Sequence, residues 1–158
     1  MLTKNGKAML KINNDTSRSS SMTLINTSGT NVTAQDSNNH AVSQLFSRAE
    51  LAVGTGSTVP SSSDYSITNE DAGLTTVTKT GTNDSATPSY TQDYIANFSK
   101  TYRNDTESDI TINEVAIVTK PLDIYGNPQF EVVIARDVLS TPVTIAPGEA
   151  YTFGMYIG

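Results

Sequence analysis

The chain has 158 residues, ten of them basic and 16 acidic, for a formal net charge of -6 and a pI near 4.6. A negative surface is not attracted to nucleic acid or anionic lipid, so neither is expected as the main partner. There is no cysteine, which excludes a disulfide framework and a thiolate metal centre. Hydrophobic residues make up 36% and charged residues 16%, the balance falling largely to Ser, Thr and Asn. Thr, Val and Ile recur throughout, which predicts a folded, strand-rich chain rather than a disordered one.

The opening, MLTKNGKAMLKINNDTS, lacks the continuous apolar core of a signal peptide, and no apolar run reaches the roughly 20 residues of a membrane span. Export by an ordinary signal is therefore not expected. In chain order, KAMLKI (Lys7–Ile12) and MTLINT (Met22–Thr27) read as short strands separated by a polar loop. TSGTNVTAQDSNNH is turn-rich, with one short strand around Val32. In AVSQLFSRAELAVG the first part suits one or two helical turns, and AELAVG a strand ended by Gly54. Tyr90–Arg103 is aromatic and β-branched, with Tyr94, Ala96 and Phe98 alternating against Ile95 and Asn97. In DITINEVAIVTK, alternation places Ile110, Ile112, Ala116 and Val118 on one face.

QFEVVIARDVL follows the turn signal DIYGNP, and the chain closes with PVTI, the turn APGEA and YTFGMYI. Pro147 and Gly148 suit the central pair of a type II turn, Gly148 taking the positive φ. About eight to ten short strands with regular turn signals predict an all-β, antiparallel β-sandwich of jelly-roll or immunoglobulin-like type. It is expected as one domain over residues 1–158, with 1–44 carrying the weakest strand pattern. If Ile110–Lys120 and Phe130–Leu139 form a hairpin around Tyr125, Glu114 falls opposite Arg136. Alternation then sets Glu114 on the face of Ile112 and Ala116, and Arg136 on that of Ile134. A direct ion pair is the expected outcome.

Candidate chemistry begins with Leu51–Ile67, LAVGTGSTVPSSSDYSI, whose Gly-Thr-Gly looks like the start of a phosphate-binding loop. A P-loop needs a Lys to meet the phosphate charge, and none follows here. A dinucleotide fingerprint needs a third Gly opening a helix, but finds Val59 and then Pro60. A structural turn at Gly54–Gly56 is the better reading, with a strand ending at Val53 and the glycines permitting a tight bend. NDTESD (Asn104–Asp109) sets three carboxylates at alternate positions, a pattern open to calcium or to a solvated hairpin tip. His40, the single histidine, has only Asp36 nearby and reads as a loop residue. No Gly-x-Ser-x-Gly elbow is present, so neither catalytic, cofactor-binding nor metal residues are assigned. Tyr90, Tyr94, Tyr102, Tyr151 and Tyr156 suit either a sugar-binding face or, as more often, a core edge or subunit interface.

Three segments together, LAVGTGSTVPSSSDYSI, INEVAIV and FEVVIARDVLSTPVTIAPGEAYTFGMYI, resemble a group of small tailed-bacteriophage virion proteins. The shared pattern is a Val-Gly-Thr-Gly turn, Pro and Asp-Tyr, a Glu-containing strand, an Ala-Arg-Asp strand and a Pro-Gly-Glu hairpin. The resemblance runs from Leu45 to Ile157, departing at the acidic loop Asn104–Asp109. It implies a non-enzymatic β-sandwich accessory of the capsid or tail, foremost a capsid decoration or head-auxiliary protein. The implied partners are the major capsid protein or other virion proteins and further copies of this chain. The implied location is the virion, reached by lysis. A tail- or head-fibre module binding a receptor or carbohydrate, and a small hydrolase, are the alternatives from other classes. The residues singled out as structural are Gly54, Gly56, Glu114, Arg136, Pro147 and Gly148.

Overall fold

The computed structural model describes residues 1–7, 21–35, 49–77, 89–90, 96–120 and 130–157. Nine strands form among them: β1 (Ser21–Ile25), β2 (Asn31–Gln35), β3 (Glu50–Gly54), β4 (Thr75–Thr76) and β5 (Ser89–Tyr90), then β6 (Ala96–Arg103), β7 (Ile110–Thr119), β8 (Val132–Ile145) and β9 (Ala150–Ile157). Among the described residues every pairing is antiparallel, and helix is confined to single turns at residues 4–7 and Glu70–Gly73. The expected all-β class is thus what the chain adopts. The candidate strand Lys7–Ile12, the helical turns before Ala49, His40, Tyr94 and the turn around Tyr125 lie outside the described residues.

β3, β7 and β8 form one sheet in that order. In the other, β6 is central, with β9 along its full length on one side and the short β4 and β5 at its two ends. The long segment expected over Tyr90–Arg103 is therefore divided, β5 folding back antiparallel onto the start of β6. Side chains from both sheets meet in one core that includes Leu51, Val53, Phe98, Tyr102, Ile117, Ile134 and Phe153. A fully buried Leu, Ile or Phe stabilises by roughly 1.5–3 kcal/mol, so this shared core outweighs any local preference. β1 and β2 make a separate hairpin whose Leu24 joins the same core. Its turn is tied by Asn26 Oδ1, which accepts from Ser28 N, Ser28 Oγ and Thr30 N.

The β7–β8 ladder is broken twice. Ile110–Ile112 pair with Ile145–Val143, Glu114–Ile117 with Val138–Ala135, and Val118–Thr119 with Val133–Val132. At the first break Asn113 alone faces Leu139–Pro142, and Pro142 has no N–H for a ladder. At the second, Ile134 is an extra residue on β8. Because side chains alternate with period two, each inserted residue flips the rest of its strand to the other face. The face expected to hold Ile110, Ile112, Ala116 and Val118 is accordingly split. Ile110 and Ile112 pack in the main core with Val115 and Ile117, whereas Ala116 and Val118 join Ala52 and Val133 in a small cluster on the opposite side.

The connections that close the molecule pass between the sheets. The Pro147–Gly148 turn has the expected form, with Glu149 N donating to Ala146 O at 3.0 Å and Gly148 at φ 78°. It joins β8 to β9, which lie in different sheets, so it is a corner rather than a hairpin. Asn104–Asp109 likewise joins β6 to β7 across the sheets and is not a hairpin tip.

At the outer edge of β8, Met1–Asn5 run alongside Val133–Arg136. Met1 N donates to Arg136 O, Arg136 N to Met1 O and Thr3 N to Ile134 O. Asn5, itself buried, exchanges side-chain bonds with the backbone of Ile25 and so fastens the β1–β2 hairpin to this edge.

Candidate functional site

The most elaborate polar cluster lies on the second face of the three-stranded sheet, under the loop that follows β3. Glu114 is completely buried and Arg136 is 4% exposed. Arg136 Nε donates to Glu114 Oε2 at 2.5 Å, so the expected ion pair is present. The register that brings it about differs from expectation. Arg136 pairs with Ala116, and Glu114 with Val138, which leaves the two charges diagonal rather than opposite. Neither shares a face with Ile112 or Ile134, because the two breaks in the ladder turn both charges to the small-cluster side. Two displacements of the same sense preserve the meeting.

Arg136 reaches further. Nη1 donates to Asp64 Oδ2 at 2.8 Å, and Nη2 to Thr58 O at 3.1 Å. Asp64 Oδ2 also accepts from Ser61 N at 2.8 Å, inside the turn that Asp64 N closes onto Ser61 O. Burial alone would depress the guanidinium's affinity for its proton. The hydrogen bonds it donates to Glu114 and Asp64, with their negative charges, outweigh burial and hold Arg136 above its ordinary value. One planar fork thus grips a strand carboxylate, a loop carboxylate and a loop carbonyl, a geometry Lys could not reproduce.

The other oxygen of Glu114 explains the Gly-Thr-Gly stretch. Oε1 accepts from Gly56 N at 2.9 Å and from Thr68 N at 2.6 Å. Backbone N–H groups do cradle an anion here, as in a phosphate loop, but the anion is the protein's own carboxylate. Gly54 and Gly56 serve close approach rather than a special turn. The described backbone gives positive φ to Gly29, Gly73 and Gly148 but not to these two. A Cβ on Gly54 would stand 2.7 Å from Glu114 Oε1 and from Thr68 O, and one on Gly56 would overlap the same carboxylate. The strand also runs one residue past Val53, to Gly54. Thr55 N donates to Thr68 O, and Asn113 Nδ2 to Thr55 O at 2.8 Å, closing the loop at its base.

A second, uncharged knot holds the sheet corners. Asn104 is fully buried. Its Nδ2 donates to Ser108 O at 2.7 Å and to Ile145 O at 2.8 Å, and its Oδ1 accepts from Thr106 N and Thr106 Oγ1. Its backbone completes the junction, Asn104 N donating to Glu149 O and Gly148 N to Asn104 O. The acidic corner turns its carboxylates away from a common centre. Asp105 pairs with Arg103 at 2.9 Å and accepts the Thr75 hydroxyl, and Glu107 and Asp109 are exposed.

A third group lies where the turn after Asn69 meets the start of β8. Asn69, Asp71 and Ala72 adopt positive φ of 48°, 56° and 49°, unusual for residues with a Cβ. Glu70 is an exposed residue, yet desolvation and the facing Glu131 push its carboxyl up to about 7. Glu131 in turn pairs with Lys120 at 3.0 Å and raises it. Tyr102 is buried and donates to Leu51 O at 2.8 Å, its phenol pushed up by that burial and by Asp71. Among the described residues no three His, Asp or Glu side chains are placed to hold a metal ion.

Among the described side chains, Tyr102, Tyr151 and Tyr156 do not assemble into one surface. Tyr102 lies in the core and Tyr151, its ladder partner, tilts against Phe153 with ring centroids 4.8 Å apart. Tyr156, 71% exposed, has the opposite parity on β9 and points to the other face. Sequence reasoning missed Thr58, Asp64 and Thr68 as partners of the ion pair. It also missed Asn104, whose Asn-x-Thr spacing signals the local turn but not its burial. Searches of protein-family models, curated proteins and solved structures return no match to this chain.

Proposed function

We propose that this protein is a non-enzymatic structural component of a tailed-bacteriophage virion, a capsid decoration or head-auxiliary protein carried in many copies on the shell. One observation supports the reading above the rest. The three segments that resemble such virion proteins are the ones that meet in the buried knot: Gly56, Thr58 and Asp64 from the first, Glu114 from the second and Arg136 from the third. The pattern that carries the likeness therefore has one physical task, holding a surface loop rigidly on a strand scaffold. Every ionised group in the knot is matched by a donor or acceptor of the chain itself, which suits a scaffold better than a site that must exchange reactants.

The loop so held presents Ser57, Val59, Ser61 and Ser63 to solvent, with Val59 81% exposed. A rigid loop pays little ordering entropy on docking, the property a shell-binding protein needs. Purified virions, separated into heads and tails and quantified by mass spectrometry, should yield the chain in the head fraction at a fixed ratio to the major capsid protein. Bare capsids mixed with the purified chain should bind it to saturation. Recovery in tails alone would move the protein to a fibre, and absence from the particle would end the proposal.

A further inference from the structure

Asn5 and Gly6 form the only Asn-Gly pair in the sequence. Asparagine is chemically least stable in this pairing. Glycine has no side chain and the most freely rotating backbone, so its nitrogen can reach the preceding side-chain amide carbon. The fold fills the two positions for separate reasons. Gly6 is required by contact, since a Cβ there would stand 2.2 Å from Ile134 O. Asn5 is required by its amide: Nδ2 donates to Ile25 O at 2.7 Å and to Val133 O at 3.3 Å, and Oδ1 accepts from Ile25 N at 2.8 Å.

The same contacts keep the pair unreactive. Asn5 is 3% exposed, and three hydrogen bonds to β1 and β8 stop its Cγ from swinging towards Gly6. Residues 4–7 make a helical turn, closed by Lys7 N on Thr3 O at 3.0 Å. Gly6 N has its own proton committed, to Thr3 Oγ1 at 3.2 Å. All of this depends on one short segment staying docked. Thr3 bonds Val133 O and Ile134 O, Lys4 N bonds Ser62 O, and Arg136 N bonds Met1 O. A segment held by so few contacts opens locally more readily than the fold as a whole.

We infer that Asn5 is a deamidation site gated by the docking of residues 1–7 on β8, and that its conversion keeps the segment from docking again. When the segment lifts, Gly6 N gives its proton to solvent base and bonds to Asn5 Cγ. The Cγ–Nδ2 bond breaks, and the amide nitrogen leaves as ammonia with a proton from solvent. The succinimide so formed takes up one water at either carbonyl, giving aspartate or isoaspartate at position 5. Nothing is oxidised or reduced. Both products lose the Nδ2 donor, so Ile25 O and Val133 O would face a buried carboxylate, itself an acceptor. Isoaspartate also lengthens the backbone by one methylene inside the turn. The inference concerns this chain alone and does not rest on the virion reading.

Peptide mass spectrometry reads the conversion in the full chain, held in mildly alkaline buffer with and without guanidinium chloride. Electron-transfer fragmentation separates the two products. Conversion should be slower in the native chain by about tenfold or more, because it follows the small population of the opened segment. Thr3→Val removes the hydroxyl that accepts from Gly6 N and donates to β8. It should speed native conversion about fivefold and leave the rate in guanidinium unchanged. Converted wild type, separated by its added negative charge, should exchange the Thr3 and Arg136 amides faster than the unconverted chain, with the β6–β9 ladder unaltered. Equal rates in native and unfolded chains, an Asn5 that stays intact in guanidinium, a native rate indifferent to Thr3→Val, or a converted chain that keeps its Thr3 and Arg136 protection would each overturn the inference.

Discussion

The Glu114–Arg136 knot and the Asn104 knot, both among the described residues, work on different terms. The Glu114–Arg136 knot sits on the small-cluster face and pins a long loop with formal charges. The Asn104 knot sits between the sheet corners and uses only neutral donors and acceptors. Charged groups cost several kcal/mol each to bury, so the first knot is stable only while every partner is present. A neutral amide loses less on burial and loses less when cut. The charged knot therefore specifies one loop conformation sharply, whereas the neutral one fastens two corners with a smaller penalty for error.

The largest expected effect is at Glu114. Glu114→Ala strands the Arg136 guanidinium in a buried site and leaves Gly56 N and Thr68 N without an acceptor, for a loss of about 3–5 kcal/mol in urea unfolding. A loss below about 1 kcal/mol would mean the loop, not the strand face, carries the charge balance.

Asn104→Ala should cost less, about 1–3 kcal/mol, since it orphans two carbonyls and one amide but no charge. If it equals Glu114→Ala in the same assay, the contrast between charged and neutral knots is wrong.

Gly148→Ala tests the corner without touching the knot's side chains. Nothing lies within 4 Å of the added Cβ, so the cost is the left-handed backbone alone, about 1 kcal/mol as a shift in the thermal midpoint. The same change in a molecule already bearing Asn104→Ala should be non-additive, because Gly148 N donates to Asn104 O.

The smallest effect should appear near neutral pH and come from outside both knots. Glu70 titrates near 7 in the folded chain against an ordinary 4.5, so the folded state prefers the proton. Its contribution is full below the ordinary value and is lost as pH rises through about 7. Thermal midpoints should therefore fall modestly across that window, and Glu70→Gln should flatten the fall. An unchanged slope in the variant would assign the dependence elsewhere.

Strand content was legible because alternation is local. β6, β7 and β9 are visible in residues that touch their own neighbours along the chain, and the Pro147–Gly148 turn in two residues with fixed φ demands. The partners of Glu114 were not, since Gly56, Thr68 and Arg136 lie 58, 46 and 22 residues away. Nor was the break in the ladder at Ile134. A β-branched residue suits a regular strand as well as a bulge, and the Thr3 N and Oγ1 that bond Ile134 O lie 131 residues away in the chain.

Residue order alone decided that this chain would be built of antiparallel strands, that it would lack cysteine chemistry, and that Glu114 and Arg136 would seek each other. Period-two patterning, composition and opposite charge are all properties of short stretches. Which face the pair would occupy, which anion the Gly-Thr-Gly loop would hold, and whether the Pro-Gly turn would close a hairpin or a corner were settled only when the sheets packed. Those outcomes depend on contacts between distant segments, where one inserted residue reverses a face and a missing Cβ admits a carboxylate.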